Sequence, residues 1–202
     1  MSSNTIEWAV AAKQMPGETL SGDAYLVKPT DLGTLVAVVD GLGHGKEAAG
    51  AARLALEAVE QRAHLPLAQV IDHCSRELRQ SRGVVMSMAF LSALDDTMEW
   101  LGVGNVDGIL LRSPANGKRS IECLMLSQGV VGVRMPPLRP AVVNVAPGDA
   151  IVFVTDGIRR GFEHRVRLPG APDEIARSII AHDCLETDDA LALVAIFKGK
   201  SG

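Results

Sequence analysis

The sequence predicts an α+β fold, and three observations carry that prediction. Three strand-like segments come first, a pair of amphipathic helices follows, and from Gly83 onward short apolar runs alternate with turn signals. Strands grouped apart from helices, in place of strict βαβ alternation, mark this class. At 202 residues the chain reads as one domain, its core spanning roughly residues 5–197, with length enough to bury a full interior. Hydrophobic residues make up 47% and aromatics only 3%, so that interior has to be aliphatic and rich in alanine.

Residues 5–13 alternate as a strand, 24–28 form a second after the loop Ser21-Gly22-Asp23, and 34–39 a third that is almost wholly apolar. Such a run is covered on both faces. Residues 47–63 carry Ala48, Ala51, Ala52, Ala55, Ala58 and Val59 at helical spacing, and Leu65-Pro66 interrupts the pattern. A second helix places Leu67, Val70, Ile71, Cys74 and Leu78 on one stripe, so the two form a hairpin over one sheet face. Segments 84–93, 97–103, 108–112 and 120–126 follow as strands, with turns at Asp95-Asp96 and Asn116-Gly117, and their short spacing suggests an antiparallel meander. Residues 141–145 and 150–155 read as a pair around Pro147-Gly148-Asp149. A helix over 172–181, with Pro at its start and two acids in its first turn, precedes a last strand over 190–197.

Composition excludes several functions. A net charge of −4 argues against non-specific nucleic-acid binding, which needs a basic face. No apolar run reaches the roughly 18 residues of a membrane span, and residues 1–5 lack the character of a signal peptide. Cys74, Cys123 and Cys184 are isolated and odd in number, which fits buried small hydrophobes and neither disulfides nor zinc ligands. The expectation is a cytoplasmic protein that works without membrane or nucleic acid.

The chemistry concentrates in aspartates at strand edges. Val36-Ala37-Val38-Val39-Asp40-Gly41 and Ile151-Val152-Phe153-Val154-Thr155-Asp156-Gly157 each run an apolar strand into Asp-Gly. Asp23 and the Asp188-Asp189 pair sit at two further strand edges. A lone strand-end aspartate is usually a turn former. Four such sites together call for another account. Carboxylate oxygens without His or Cys suit Mg²⁺ or Mn²⁺ over Zn²⁺. A pair of such ions activates water and clamps a phosphoryl oxygen, with no nucleophilic side chain needed. Gly41 to Lys46 fails as a phosphate loop, because Asp40 stands at the first glycine position and Glu47 at the final hydroxyl position. Ser21 and Ser87 lack a nucleophile-elbow context.

Ser21-Gly22-Asp23, Asp40-Gly41-Leu42-Gly43-His44-Gly45, Thr155-Asp156-Gly157 and Asp188-Asp189-Ala190 resemble the metal motifs of the type 2C serine/threonine phosphatases. The Asp-Gly-x-Gly-His-Gly form is similar to the bacterial SpoIIE branch. Gly102-Val103-Gly104-Asn105-Val106, with almost nothing outside the core, resembles the RsbX-type stressosome phosphatases. The resemblance implies a four-layer αββα fold, a central antiparallel β-sandwich flanked by helices, and two Mn²⁺ or Mg²⁺ ions. It implies that Asp40 bridges both ions, that the Gly41 carbonyl binds one, and that Asp23, Asp156 and Asp188 hold metal directly or through water. Asp188 is the first residue of its motif and is favoured for that reason, with Asp189 as the fallback; Leu191 stands where the family often has Thr. The implied substrate is phosphoserine or phosphothreonine on a stressosome scaffold, in restraint of a sigma-B-type stress response. The alternatives are a phosphorylated anti-sigma-factor antagonist as substrate, or an inactive phosphatase-fold binding module. A monomer is expected.

His44 reads either as a proton donor or as a loop histidine that holds its turn. Residues 132–168 carry six arginines against three acids. They form either a solvated surface or a docking rim for a phosphorylated partner, with Arg134, Arg159 and Arg160 the candidates. Met86, Met88 and the Leu67/Val70/Ile71/Cys74 stripe read as core.

Overall fold

The element on which the architecture turns is β3 (Gly33–Gly41), a strand buried along nearly its whole length. The computed structural model describes residues 5–113 and 120–199. Side chains of β3 alternate between two cores. Leu35, Ala37 and Val39 pack toward helices, whereas Val36 and Val38 pack toward a second sheet. Each such aliphatic side chain contributes about 1.5–3 kcal/mol on burial. The period-2 rule then places Asp40 on the same face as Val36 and Val38, at the end of the inter-sheet core.

Around β3 runs a six-stranded sheet. It contains β2 (Asp23–Thr30), β3, β4 (Val84–Ser92), β5 (Thr97–Val103) and β8 (Leu126–Ser127) in that order, and β9 (Ala141–Asn144) also pairs with β5. The second sheet orders β1 (Ile6–Lys13), β11 (Ala190–Phe197), β10 (Ala150–Val154), β6 (Asp107–Leu111) and β7 (Ile121–Cys123). Helices α1 (Gly45–Gln61) and α2 (Leu67–Glu77) form a hairpin over the first sheet, and α3 (Pro172–Asp183) covers β1 and β11 of the second. The layers are therefore α, β, β, α, as expected. Ala48, Ala51, Ala52, Ala55 and Ala58 are all buried, and their small size lets α1 lie close on β2 and β3.

Four readings of the sequence need correction. The strands from Gly83 onward are not a continuous meander: β4 pairs with β5, but β6 leaves for the other sheet and pairs with β10 and β7. The segment 120–126 is not one strand, because β7 and β8 flank buried Leu124 and join different sheets. β9 and β10 do not pair with each other, since β9 adds to β5 and β10 lies between β6 and β11. In each case alternation reveals a strand but not the sheet that receives it. Lastly, all three cysteines are free, yet only Cys74 is buried; Cys123 is exposed and Cys184 half-buried. The Asn116-Gly117 turn lies outside the described residues.

Met86, Met88 and the α2 stripe do lie in the core. Ser87 is buried, its hydroxyl donating to the Val106 carbonyl at 2.6 Å, which is a structural bond. No helix among the described residues is long and apolar enough to cross a membrane.

Candidate metal centre

β2 and β3 pair so that Asp23 lies directly opposite Asp40. Like charges facing each other across a ladder destabilise a sheet, so this register breaks a local rule where a strand could have placed any neutral residue. The other two sites arrive from the facing sheet. Asp156 follows β10, and Asp188 with Asp189 precede β11, the neighbour of β10. The antiparallel pairing of β10 with β11 brings the end of one beside the start of the other. Four chain segments far apart in sequence thus deliver carboxylates to one end of the sandwich.

Asp40, Asp156 and Asp188 line a cleft of about 430 Å³, together with Gly43, His44, Asn105 and Thr187. The volume suits a small ligand. Two glycines allow the close approach that forms it. A Cβ at Gly41 would strike the Ala48 carbonyl oxygen of α1, and one at Gly157 would strike the Asp189 carbonyl oxygen. The Asp-Gly pairs seen in the sequence are therefore steric requirements of packing a strand end against neighbouring backbone.

The carboxyls are strongly perturbed. Burial, and then the charge of Asp23, pushes Asp40 up to about 8. Burial raises Asp23 to about 7, opposed by a hydrogen bond from Thr155 and reinforced by the neighbouring aspartates. Asp156 is also raised, first by burial and then by Asp188, with Asn105 working against the shift. Mutual repulsion of this kind is what a bound cation would relieve.

The four sites nevertheless differ. Asp23 is not among the residues lining the cleft, and its Oδ2 accepts from the Thr155 hydroxyl at 2.6 Å. That hydroxyl accepts in turn from the Leu191 N–H at 2.9 Å, so β11 steers Asp23 through Thr155. Leu191 itself is buried in the inter-sheet core. Asn105 Nδ2 donates to Asp156 Oδ2 at 2.8 Å. Asp188 faces the cleft, and one of its oxygens accepts the Asp189 N–H. Asp189 is buried at 4% exposure, and both its oxygens are occupied: Oδ1 accepts from the Met15 N–H at 2.8 Å and Oδ2 from the Gly22 N–H at 2.7 Å. Asp189 thereby pins the Ser21-Gly22-Asp23 loop. Asp189→Ala leaves two amides unsatisfied and is expected to lower Tm by roughly 5–10 °C, whereas Asp188→Ala shifts it little. Scanning calorimetry of the two variants checks this, and equal losses would contradict it.

The donor set fits a hard cation. Carboxylate oxygens are the ligands that Mg²⁺ and Mn²⁺ take, and the histidine that lines the cleft, His44, already has its Nδ1 2.7 Å from Glu18 Oε1. No three acid, His or Cys side chains among the described residues close into a tight metal cage. Mg²⁺ does not need one, because it retains several waters and takes one or two carboxylates directly.

His44 stands at the cleft with its ring Nδ1 2.7 Å from Glu18 Oε1, and its side chain is exposed. None of the arginines of 132–168 lines this cleft. Arg134 follows a turn whose Val130 lines the cleft, Arg160 bears on Asp107, and Arg165 pairs with buried Asp183. Arg159 and Arg160 are exposed. A second cavity, about 230 Å³ and lined by Arg165, Arg167, Ser178 and Asp183, contains none of the strand-end aspartates. Sequence reasoning assigned no role to Asn105, Thr155 or Asp107. The only signal for the first two was a polar residue beside a glycine or aspartate in motifs already singled out. Asp107 opens β6 and is raised by its own burial, eased by Arg160.

Comparison with known proteins adds four findings. The family model described as Stage II sporulation protein E (SpoIIE) matches residues 30–195. The phosphoserine phosphatase RsbX of Bacillus subtilis (strain 168) is 24% identical over 174 residues, spanning 86% of this chain and 85% of its own length. Among solved structures, RsbX in complex with magnesium aligns at a TM-score of 0.83 with 23% identity over 96% of both chains. A chain from work on the bacterial stressosome as a modular system adapted to control secondary messenger signaling aligns at 0.85 with 28% identity, covering 94% of this chain and 98% of its own.

Proposed function

The chain belongs to the SpoIIE family, and on that premise we propose that its acidic cleft dephosphorylates phosphoserine or phosphothreonine on stressosome proteins, restraining a sigma-B-type stress response. At the coarser level the protein is a serine/threonine phosphatase of the type 2C kind. The observation that carries the reading is the convergence of Asp40, Asp156 and Asp188 in one cleft, with Asp23 facing Asp40 across the ladder. An arrangement this repulsive persists in a fold when a ligand compensates it.

In this reading Asp40 as the shared ligand, the Gly41 carbonyl, and Asp23, Asp156 and Asp188 directly or through water would hold two Mn²⁺ or Mg²⁺ ions. When bound, the ions would lower the pKa of a water and neutralise charge developing on the phosphoryl oxygens. The protein's own groups fix the geometry. Asn105 orients Asp156, Thr155 orients Asp23, and Asp189 anchors the loop that delivers Asp23. With Glu18 Oε1 2.7 Å from His44 Nδ1 and accepting its N–H in this reading, Nε2 is the ring nitrogen that would give a proton to the leaving serine oxygen. Arg134, Arg159 and Arg160 serve the docked phosphoprotein. Residues 5–197 act as one phosphatase domain, monomeric and cytoplasmic.

The test is hydrolysis of a phosphoserine peptide with Mn²⁺, lost on adding EDTA and regained with excess metal. Phosphorylated stressosome scaffold and a phosphorylated anti-sigma-factor antagonist, offered side by side, decide the substrate. Preference for the antagonist would refute the stressosome assignment, and metal-independent or absent turnover would refute the phosphatase chemistry.

A further inference from the structure

A phosphomonoester entering this cleft approaches Asp40, Asp156 and Asp188, and no residue lining the cleft among those described is a lysine or arginine. One guanidinium does reach its edge. Arg82 lies between α2 and β4, next to Gly83, whose carbonyl accepts the Leu42 N–H at 3.1 Å and so ties this segment to the glycine-rich turn. Its Nη1 is 2.7 Å from where a Cβ of Gly43 would stand, and Gly43 lines the cleft. Only a glycine, here at φ +92°, leaves room for that contact. The other terminal nitrogen, Nη2, pairs with Glu47 in the first turn of α1.

Building on the phosphatase reading, we propose that Arg82, laid across Gly43 at the cleft edge, binds the substrate's phosphoryl group. The pair with Glu47 is no obstacle. Both side chains are more than half exposed, at 53% and 67%, and exposed pairs of this kind are weak and readily exchanged. A phosphoryl dianion offers the fork of the guanidinium two oxygens at once, which a lysine could not match. Arg82 is thus a substrate-binding residue contributed by a segment that carries none of the strand-end aspartates.

The test is steady-state hydrolysis of a phosphoserine peptide at saturating Mn²⁺, with inorganic phosphate as competitive inhibitor. Arg82→Ala should raise both KM and the phosphate inhibition constant by about tenfold or more. Its kcat should change less, and its Tm and Mn²⁺ affinity should match wild type. Arg82→Lys should fall between the two. Glu47→Gln should keep wild-type KM, as should Arg53→Ala on the exposed face of α1. Wild-type KM and phosphate inhibition in Arg82→Ala would overturn the proposal while leaving the phosphatase reading intact. So would an equal loss in Glu47→Gln, which would show that the ion pair acts only structurally. A wild-type protein without metal-dependent turnover would overturn both.

Discussion

Asp40→Asn will reduce phosphatase activity by more than about a hundredfold and, in metal-free buffer at pH 8, will leave a protein more stable than the wild type. The two effects have one cause. Asp40 is mostly buried, faces Asp23 across the ladder, and has its carboxyl pushed up to about 8 by that environment. Asparagine keeps the shape and removes the charge, so the folded state loses that repulsion. Residues one step removed from a metal already cost 10–100-fold when substituted, and Asp40 is assigned the shared ligand. Turnover of a phosphoserine peptide, read beside thermal melts in EDTA, checks both halves. A variant that is inactive and also destabilised would point to a structural aspartate instead.

The metal-free wild type should lose stability as pH rises from about 5 to 8.5, and added Mn²⁺ should restore more of it at the upper end than at the lower. The folded-state values of Asp23 and Asp40, about 7 and about 8, lie above the ordinary carboxylate value of 3.8. The native state therefore binds more protons than the unfolded chain through this window. The contribution is full below about pH 4 and drains away as pH passes through 7 and 8. The two carboxyls titrate as a pair, and the loss is on the order of a few kcal/mol. Cation binding at a hundred times its Kd returns about 2.7 kcal/mol. Melting curves at half-unit pH steps, with EDTA or with Mn²⁺, measure this. A metal-free Tm that holds level or rises across the window, with no Mn²⁺ shift at pH 8, would contradict it.

Much of this site is legible in the sequence because its logic is local. An apolar strand ending in Asp-Gly announces a carboxylate at the edge of a core, and β3 and β10 both do so. The helical hairpin is equally plain, since the alanines of α1 recur at one face and Pro66 separates it from α2. What the sequence conceals is partnership. Nothing in residues 108–112 says that β6 leaves β5 for the other sheet, because an apolar strand buried between two layers looks alike in either. Asp188 and Asp189 are chemically identical neighbours, and only tertiary contacts reveal that Asp189 spends both oxygens on Met15 and Gly22. Arg82 carries no sequence signal, since its relation to Gly43 exists only once α2 and β4 have folded.

Where manganese settles is the most direct measure of the central claim. Crystals grown or soaked in millimolar Mn²⁺, with anomalous diffraction recorded near the manganese edge, should place the metal in the cleft with the Asp40 carboxylate as a ligand. Asp156 and Asp188 should lie beside it, directly or through water, and Asp189 should still hold Met15 and Gly22. A cleft without manganese at that concentration, or manganese bound with Asp40 uninvolved, would contradict the account.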